Sequence, residues 1–425
     1  MSPPAAISQR RPAVTVIGCD GRPLAPEAAE ALKAAGLVVG APRHLAAVPP
    51  GPERIEIKRL DDALDVVCAS QAPVAVLASG DPGFFGIVRA LRARGITPQV
   101  IPAVSSVALA FARLGLDWDD ALVVSAHGRD PRQALAAALA HPKVAILTAP
   151  ATARELGSAL LAGGRKVYVT ERLGTPQERV ADLAAEPGRE FADPNILISL
   201  DQQSQGNTPR WLAGHPGAPS AWALPEDQFE YRDSMITKAE VRALVLARLG
   251  PAPGRTIWDV GAGSGSVAVE CARFGAYVIA VEADQAQCAR IRANAGEHAV
   301  RLRLIQGRAP EALAGLPPAD AVFVGGGDHA VLAATIRAAT PERVVITLAA
   351  VDRVAETTAL LTDLGYHSEG VQLQASRLSP LPNGSLRLAA ENPVFVLWGG
   401  PSTIVDHHSP HRGSSDPRSS GLGQP

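Results

Sequence analysis

The sequence predicts an α/β protein made of two successive units, and three observations carry that reading. The chain is 425 residues long, more than one hydrophobic core normally organises. Two separate series of short apolar runs alternate with Ala-rich helical stretches, the pattern of strand–helix repeats. Between them the composition breaks: Asp201–Ser220 is rich in Gln, Gly and Pro and shows neither helical nor strand periodicity.

In the first series, strands are expected at Val14–Gly18, Val74–Ser79, Ala121–His127, Val144–Ala149, Lys166–Glu171 and Asn195–Leu200, with helices such as Pro26–Ala35 and Pro131–Ala140. These runs are Val/Ile-rich and apolar without interruption, as strands covered on both faces are. The second series opens with helix Lys238–Leu249, strand Thr256–Val260, helix Val267–Phe274, strand Tyr277–Glu282 and helix Gln285–Ala295. Strands Arg301–Gln306, Ala321–Gly326 and Arg343–Leu348 continue it, and late strands near Gly370–Gln374 and Val394–Trp398 close it as an antiparallel hairpin. The expected divisions are a first domain over 12–201, a linker over 202–222, a second domain over 223–405, and a Ser/Pro/Gly-rich disordered tail over 406–425.

Forty basic residues against 42 acidic ones give a formal charge of −2. No global positive field exists to hold nucleic acid or an anionic membrane, so neither is expected as a partner. None of Cys19, Cys68, Cys271 and Cys288 forms a C-x-x-C pair, and buried free thiols in a reducing cytoplasm are the expectation. Pro3, Pro4, Arg10, Arg11 and Pro12 interrupt any apolar signal core, and no apolar run is long enough to span a membrane. His407, His408 and His411 in the tail lack a carboxylate or cysteine to complete a ligand set, so no metal is expected.

The sharpest local signal is Asp259-Val260-Gly261-Ala262-Gly263-Ser264-Gly265-Ser266, between a strand and a helix. Glycines there let a ligand touch backbone, and the helix N-terminus offers free N–H groups. The spacing is G-x-G-x-G, and Ser266 stands where a dinucleotide fingerprint has its third glycine, which disfavours a nicotinamide oxidoreductase. Glu282 ends the next strand, where a carboxylate can accept both hydroxyls of a ribose. Gly307-Arg308-Ala309-Pro310-Glu311 and Gly325-Gly326-Gly327 end the two strands after that, so successive strands deliver ligand-compatible loops to one sheet edge. In the first half, Gly80-Asp81-Pro82-Gly83-Phe84-Phe85-Gly86, Pro102-Ala103-Val104-Ser105-Ser106 and Ser125-Ala126-His127-Gly128-Arg129 stand at strand ends. Read from the residues alone, they are a turn, a helix cap and a strand end.

Together these segments carry a resemblance. MITKAEVRAL (Met235–Leu244), WDVGAGSGSVAVE (Trp258–Glu270), GRAPEAL (Gly307–Leu313) and DAVFVGGG (Asp320–Gly327) are similar to the class I methyltransferase domain of the precorrin C(5,15)-methyltransferase family. GDPGFFG, PAVSSVALAFARLGL and SAHGR resemble the tetrapyrrole (corrin/porphyrin) methylase domain of the same family. The resemblance implies a two-lobed tetrapyrrole methylase fold followed by a Rossmann-like fold. It also implies methylation of a small tetrapyrrole at carbon 5 by the first half, with methylation at carbon 15 and decarboxylation by the second. S-adenosylmethionine is the implied methyl donor, one per domain. Its implied contacts are Thr237, Gly261, Ala262, Gly263, Ser264, Gly265, Glu282 and Ala309 in the second half, and Gly80, Asp81, Phe84, Ser105 and Ser106 in the first. The family opens with a G-x-G-containing loop where this chain has the shorter Gly18-Cys19-Asp20-Gly21.

Arg232, Lys238 and Arg242 are candidate anchors for the carboxylates of such a substrate; no general acid or base is assigned, although His127, His298 and His329 are available. A homo-oligomer is expected. The competing readings are methyl transfer to RNA or protein, and a first half that only delivers a tetrapyrrole.

Overall fold

The computed structural model describes residues 13–202, 213–215, 217–232 and 236–402. The histidine tail, most of the linker and Met235 lie outside the described residues.

The first half contains two sheets. Strands β1 (Val14–Cys19), β2 (Leu37–Gly40), β3 (Glu53–Glu56), β4 (Val74–Ser79) and β5 (Gln99–Ile101) form the first, in the order β3-β2-β4-β1-β5. Its pairings are all parallel. The second takes β6 (Leu122–Ser125), β7 (Lys143–Thr148), β8 (Lys166–Glu171), β9 (Arg179–Asp182) and β10 (Asn195–Leu200) in the order β6-β7-β10-β8-β9. There β10 runs antiparallel to both neighbours.

The second half builds one large sheet from β11 (Thr256–Val260), β12 (Tyr277–Glu282), β13 (Arg303–Gln306), β14 (Ala321–Val324), β15 (Arg343–Leu348), β16 (Tyr366–Leu373) and β19 (Val394–Pro401). The order is β13-β12-β11-β14-β15-β19-β16, parallel up to β15, with β19 antiparallel to β15 and β16. The expected late hairpin therefore exists, but its strands are not consecutive. Between them β17 (Ser376–Pro380) and β18 (Leu386–Ala390) form a separate two-stranded ribbon with Leu378, Leu386 and Leu388 exposed.

The apolar runs do what their composition requires. Alternate side chains of a strand face opposite ways, and each of the three larger sheets carries an apolar cluster on either face. Val16, Val39 and Val76 pack on one side of the first sheet, and Ile17, Val38 and Leu77 on the other. Trp258 and Val260 lie under one face of the large sheet, and Ile257 under the other. Cys271 and Cys288 are buried free thiols as expected, whereas Cys68 is exposed on its helix. No described helix is long and apolar enough to cross a membrane.

Candidate functional site

In the second half the chain leaves β11 through a loop in which Gly261, Gly263 and Gly265 all have positive φ, a conformation that costs an L side chain energy and a glycine little. Gly265 also lacks room, because a Cβ there would stand 2.9 Å from Ile291 Cγ1. Two side chains hold this loop. Glu282 accepts the Gly263 N–H at 2.8 Å through Oε2 and the Asp284 N–H at 2.8 Å through Oε1. Asn294 donates to the Ser264 carbonyl at 2.9 Å and to the Glu230 carbonyl at 3.0 Å, and accepts the Glu230 N–H at 2.7 Å. Asn294 thus ties the glycine loop to the segment preceding the domain's first helix.

Asp259 sits fully buried beneath the loop. Its Oδ2 accepts the Ala268 N–H at 3.0 Å, while Oδ1 has no partner among the described residues. Burial raises its carboxyl to about 7, and the nearby Glu282 charge adds to the rise. The loops after β13 and β14 come to the same edge: the Gly307 N–H donates to the Glu282 carbonyl at 2.9 Å, and Gly325 N–H to that of Val260 at 3.2 Å. Gly263 and Gly326 have open space where a Cβ would stand. Glu282, Gly261–Gly265 and the segment carrying Ala309 are thereby brought to one edge. Thr237 lies just before the helix Ala239–Leu249, and its carbonyl accepts from Arg242.

That last bond overturns one expectation. Arg242 is buried, donates to the Thr237 and Leu224 carbonyls, pairs with Glu270 at 3.2 Å and stacks over Phe229 with its guanidinium 4.8 Å from the ring centre. It is a brace, closed to any substrate carboxylate. Arg232 stands 3.4 Å from Asp284, so it too is engaged.

The first half presents a cleft of about 1090 Å³ lined by both of its sheets. Gly80 leaves β4 with φ +61°, and a Cβ there would stand 3.1 Å from the Ser106 nitrogen. The G-D-P loop therefore lies directly against the Ser-Ser segment. Ser105 caps the helix Ser106–Leu114 by accepting the Ala108 N–H at 3.1 Å, as its hydroxyl at a helix start suggests. Asp81, Phe84 and Ser106 line the cleft, and Asp81 Oδ1 accepts the Gly83 N–H at 2.8 Å. The short first loop closes one end: a Cβ on Gly21 would strike the Gly174 carbonyl, and one on Gly174 the Asp20 carbonyl.

Several polar residues on this wall escaped the sequence reading. His44 lies 2.9 Å from Ser79 Oγ, which also accepts from Arg43 at 2.8 Å. Burial and the Arg43 charge push the His44 imidazole down to about 4. Arg43 also reaches across the cleft to Asp193 at 3.8 Å. Arg172 directly follows β8, a strand end that could have marked it.

Two joined α/β units each bring glycine-containing loops to strand ends, and both match families of methyltransferases. Residues 17–186 match the family model of tetrapyrrole (corrin/porphyrin) methylases, and residues 227–396 that of the precorrin methyltransferase domain. The precorrin-6Y C(5,15)-methyltransferase [decarboxylating] of a Sinorhizobium species is 37% identical over 361 residues, covering 79% of this chain and 84% of that protein. A cobalt-precorrin-7 C(5)-methyltransferase of Salmonella typhimurium is 35% identical over 45% of this chain and 100% of its own length. A protein named probable cobalt-precorrin-6B C(15)-methyltransferase (decarboxylating), of Pyrobaculum calidifontis, is 33% identical over 44% of this chain and 97% of its own. The chain belongs to the precorrin-6Y C(5,15)-methyltransferase (decarboxylating) family.

Proposed function

We propose that this chain methylates precorrin-6Y at carbons 5 and 15 and decarboxylates the ring C acetate, giving precorrin-8X in corrin-ring biosynthesis. The observation that carries this reading is that both halves of the reaction are represented in one chain, since it aligns along most of its length with a relative bearing that name. Carbon 5 is assigned to the cleft of the first half, and carbon 15 with decarboxylation to the second half.

S-adenosylmethionine, when bound, supplies a methyl group made electrophilic by its sulfonium. The residues of the second half fit such a donor. Open space above Gly263 admits it to the backbone, Glu282 stands where a carboxylate can accept ribose hydroxyls, and buried Asp259 keeps one oxygen unpartnered. In the first half Gly80, Asp81, Phe84 and Ser106 would hold a second donor, with Ser105 fixing the helix start behind them. The protein's task at both places is to align donor and tetrapyrrole carbon and to exclude water, which supplies much of the acceleration in a direct displacement. The domain divisions at 12–201 and 223–405 follow from the same reading.

The test is mass spectrometry of product after incubation with precorrin-6Y and methyl-labelled donor. Two labelled methyls with loss of carbon dioxide support the reading. An unmodified tetrapyrrole, or label transferred to RNA or protein instead, overturns it.

A further inference from the structure

We infer that Arg129 and Arg172 form a carboxylate-binding wall on the second sheet's side of the first-half cleft. There they fix the peripheral carboxylates of the tetrapyrrole, so that its reacting carbon faces Gly80 and Ser106. The inference rests on the tetrapyrrole reading of that cleft.

The cleft wall carries four arginines, Arg22, Arg43, Arg129 and Arg172. Two are spent within the protein. Arg22 is held by Asp20, and Arg43 by Ser79 and Asp193. The guanidinium groups of Arg129 and Arg172 make no hydrogen bond or ion pair among the described residues, and both residues are exposed. Of the cleft's acids, Asp20 and Asp193 are matched by those first two arginines, and Asp81 lies at the G-D-P loop on the other sheet. Unbalanced positive charge is thus concentrated on one side, opposite the proposed donor.

Arg172 is also held in place. It has φ +48°, a left-handed conformation that is uncommon and costly for a side chain of this size. Its N–H donates to the Pro194 carbonyl at 2.9 Å, and its own carbonyl accepts from Thr175 N–H at 3.1 Å and Thr175 Oγ1 at 2.8 Å. Arg129 ends the Ser125–Arg129 turn, whose Ser125 and His127 share the lining. A guanidinium fork suits a carboxylate because it donates two parallel hydrogen bonds. A precorrin carries several acetate and propionate groups around its rim, so two separated forks define both its position and its rotation.

The experiment uses the full chain and its Arg129→Gln and Arg172→Gln variants. Carbon-5 transfer is followed by product mass against precorrin concentration, with carbon dioxide release in the same reactions as an internal control. Each variant should raise the KM for carbon-5 transfer by roughly tenfold or more, the scale of one charge-assisted hydrogen bond, with kcat within a few-fold of wild type. Donor affinity by calorimetry and carbon dioxide release should be unchanged, and Arg172→Lys should recover part of the KM loss. Wild-type transfer at carbon 5 with unaltered KM in both variants overturns this inference alone. Absence of carbon-5 transfer by the wild-type chain overturns the reading of the cleft, and this inference with it.

Discussion

The Gly263 N–H donates to Glu282 Oε2 at 2.8 Å, so the carboxylate at the end of β12 also holds the glycine loop that follows β11. Its second oxygen takes the Asp284 N–H. Glu282 therefore has a structural task beside its proposed contact with a ribose. Glu282→Ala should weaken donor binding at this site by about 1–3 kcal/mol, and lower the stability of the second half by a similar amount, because two backbone donors lose their acceptor. Calorimetric titration and urea unfolding of the same preparation separate the two effects. A loss of stability with unchanged donor affinity would leave Glu282 as a loop brace only.

Gly21 and Gly174 meet where the two sheets of the first half approach each other, and neither position has room for a Cβ. Both also have positive φ, +86° and +79°. Gly174→Ala should therefore push the Asp20–Gly21 loop away and destabilise the first half by about 1–3 kcal/mol, the cost of such backbone strain. Carbon-5 transfer should fall while carbon dioxide release persists. Equal loss of both activities would show that the two halves do not act separately.

Arg242 and Glu270 are both fully buried, and Glu270 additionally accepts the Leu224 N–H at 2.7 Å and pairs with Arg273 at 3.1 Å. Removing one partner of such a pair strands the other charge. Arg242→Ala should cost about 3–5 kcal/mol of stability in the second half, read as a lower urea midpoint. An unchanged midpoint with an increased precorrin KM would restore Arg242 as a substrate anchor.

Two titratable groups, Asp259 fully buried and His44 partly so, give the stability opposite pH slopes. Asp259, raised to about 7 from 3.8 by burial, binds more protons folded than unfolded between those values. Its contribution is full below the unfolded value and is lost as pH rises through 7, by up to about 1.4 kcal/mol per pH unit for one proton. His44, lowered to about 4 from 6.5, does the reverse: its contribution is present above 6.5 and is lost as pH falls through 4. Urea unfolding from pH 4.5 to 7.5 should thus show Asp259→Asn gaining on wild type as pH rises, and His44→Gln losing ground. Parallel curves for wild type and Asp259→Asn would mean the carboxyl is already ionised when folded.

Most strands read correctly from sequence are clothed on both faces, but that is not sufficient: Leu37–Gly40 is interior and buried throughout and is still missed, because a run of four residues is too short to stand out. Val74–Ser79, Lys166–Glu171, Asn195–Leu200, Thr256–Val260, Tyr277–Glu282 and Arg343–Leu348 occupy the expected residues, because an interior strand writes its environment into an unbroken apolar run. Glu53–Glu56 and Arg179–Asp182 lie at sheet edges, where one side faces solvent and polar residues hide the pattern. The strand expected to reach Gly326 stops at Val324, where the chain turns toward Gly261. In the site, the glycine loop and Glu282 were legible from spacing. Asn294 was not, since it acts on Ser264 from a helix 30 residues away and an asparagine on a helix carries no signal of its own. Arg242 misled for a related reason: a basic residue near the glycine loop in sequence reads as a substrate anchor, and only the fold sets Glu270 beside it.

The same contacts determine where the second half can be cut free. Leu224 donates to Glu270 and accepts from Arg242, Glu226 accepts the Ala239 N–H at 2.9 Å, and Glu230 is clasped on both sides by Asn294. The segment over 224–230 is thus part of this fold although it precedes the first helix. Arg377, in β17 of the two-stranded ribbon, adds ion pairs to Glu226 and Glu240, each at 3.1 Å. A fragment beginning near Trp211 retains all of these bonds and should fold cooperatively, bind the donor and release carbon dioxide from precorrin-6Y, since a domain of this size can bury its own core. One beginning at Lys238 leaves Arg242, Glu270 and Asn294 with unmet buried groups. It should be less stable by several kcal/mol, on the order of 1–3 for each such group. Circular dichroism with urea, followed by a carbon dioxide assay, compares the two. If the shorter fragment is as stable as the longer, the segment is dispensable. If the longer one folds and binds donor yet releases no carbon dioxide, decarboxylation requires the first half, and the assignment of activities to separate halves is wrong.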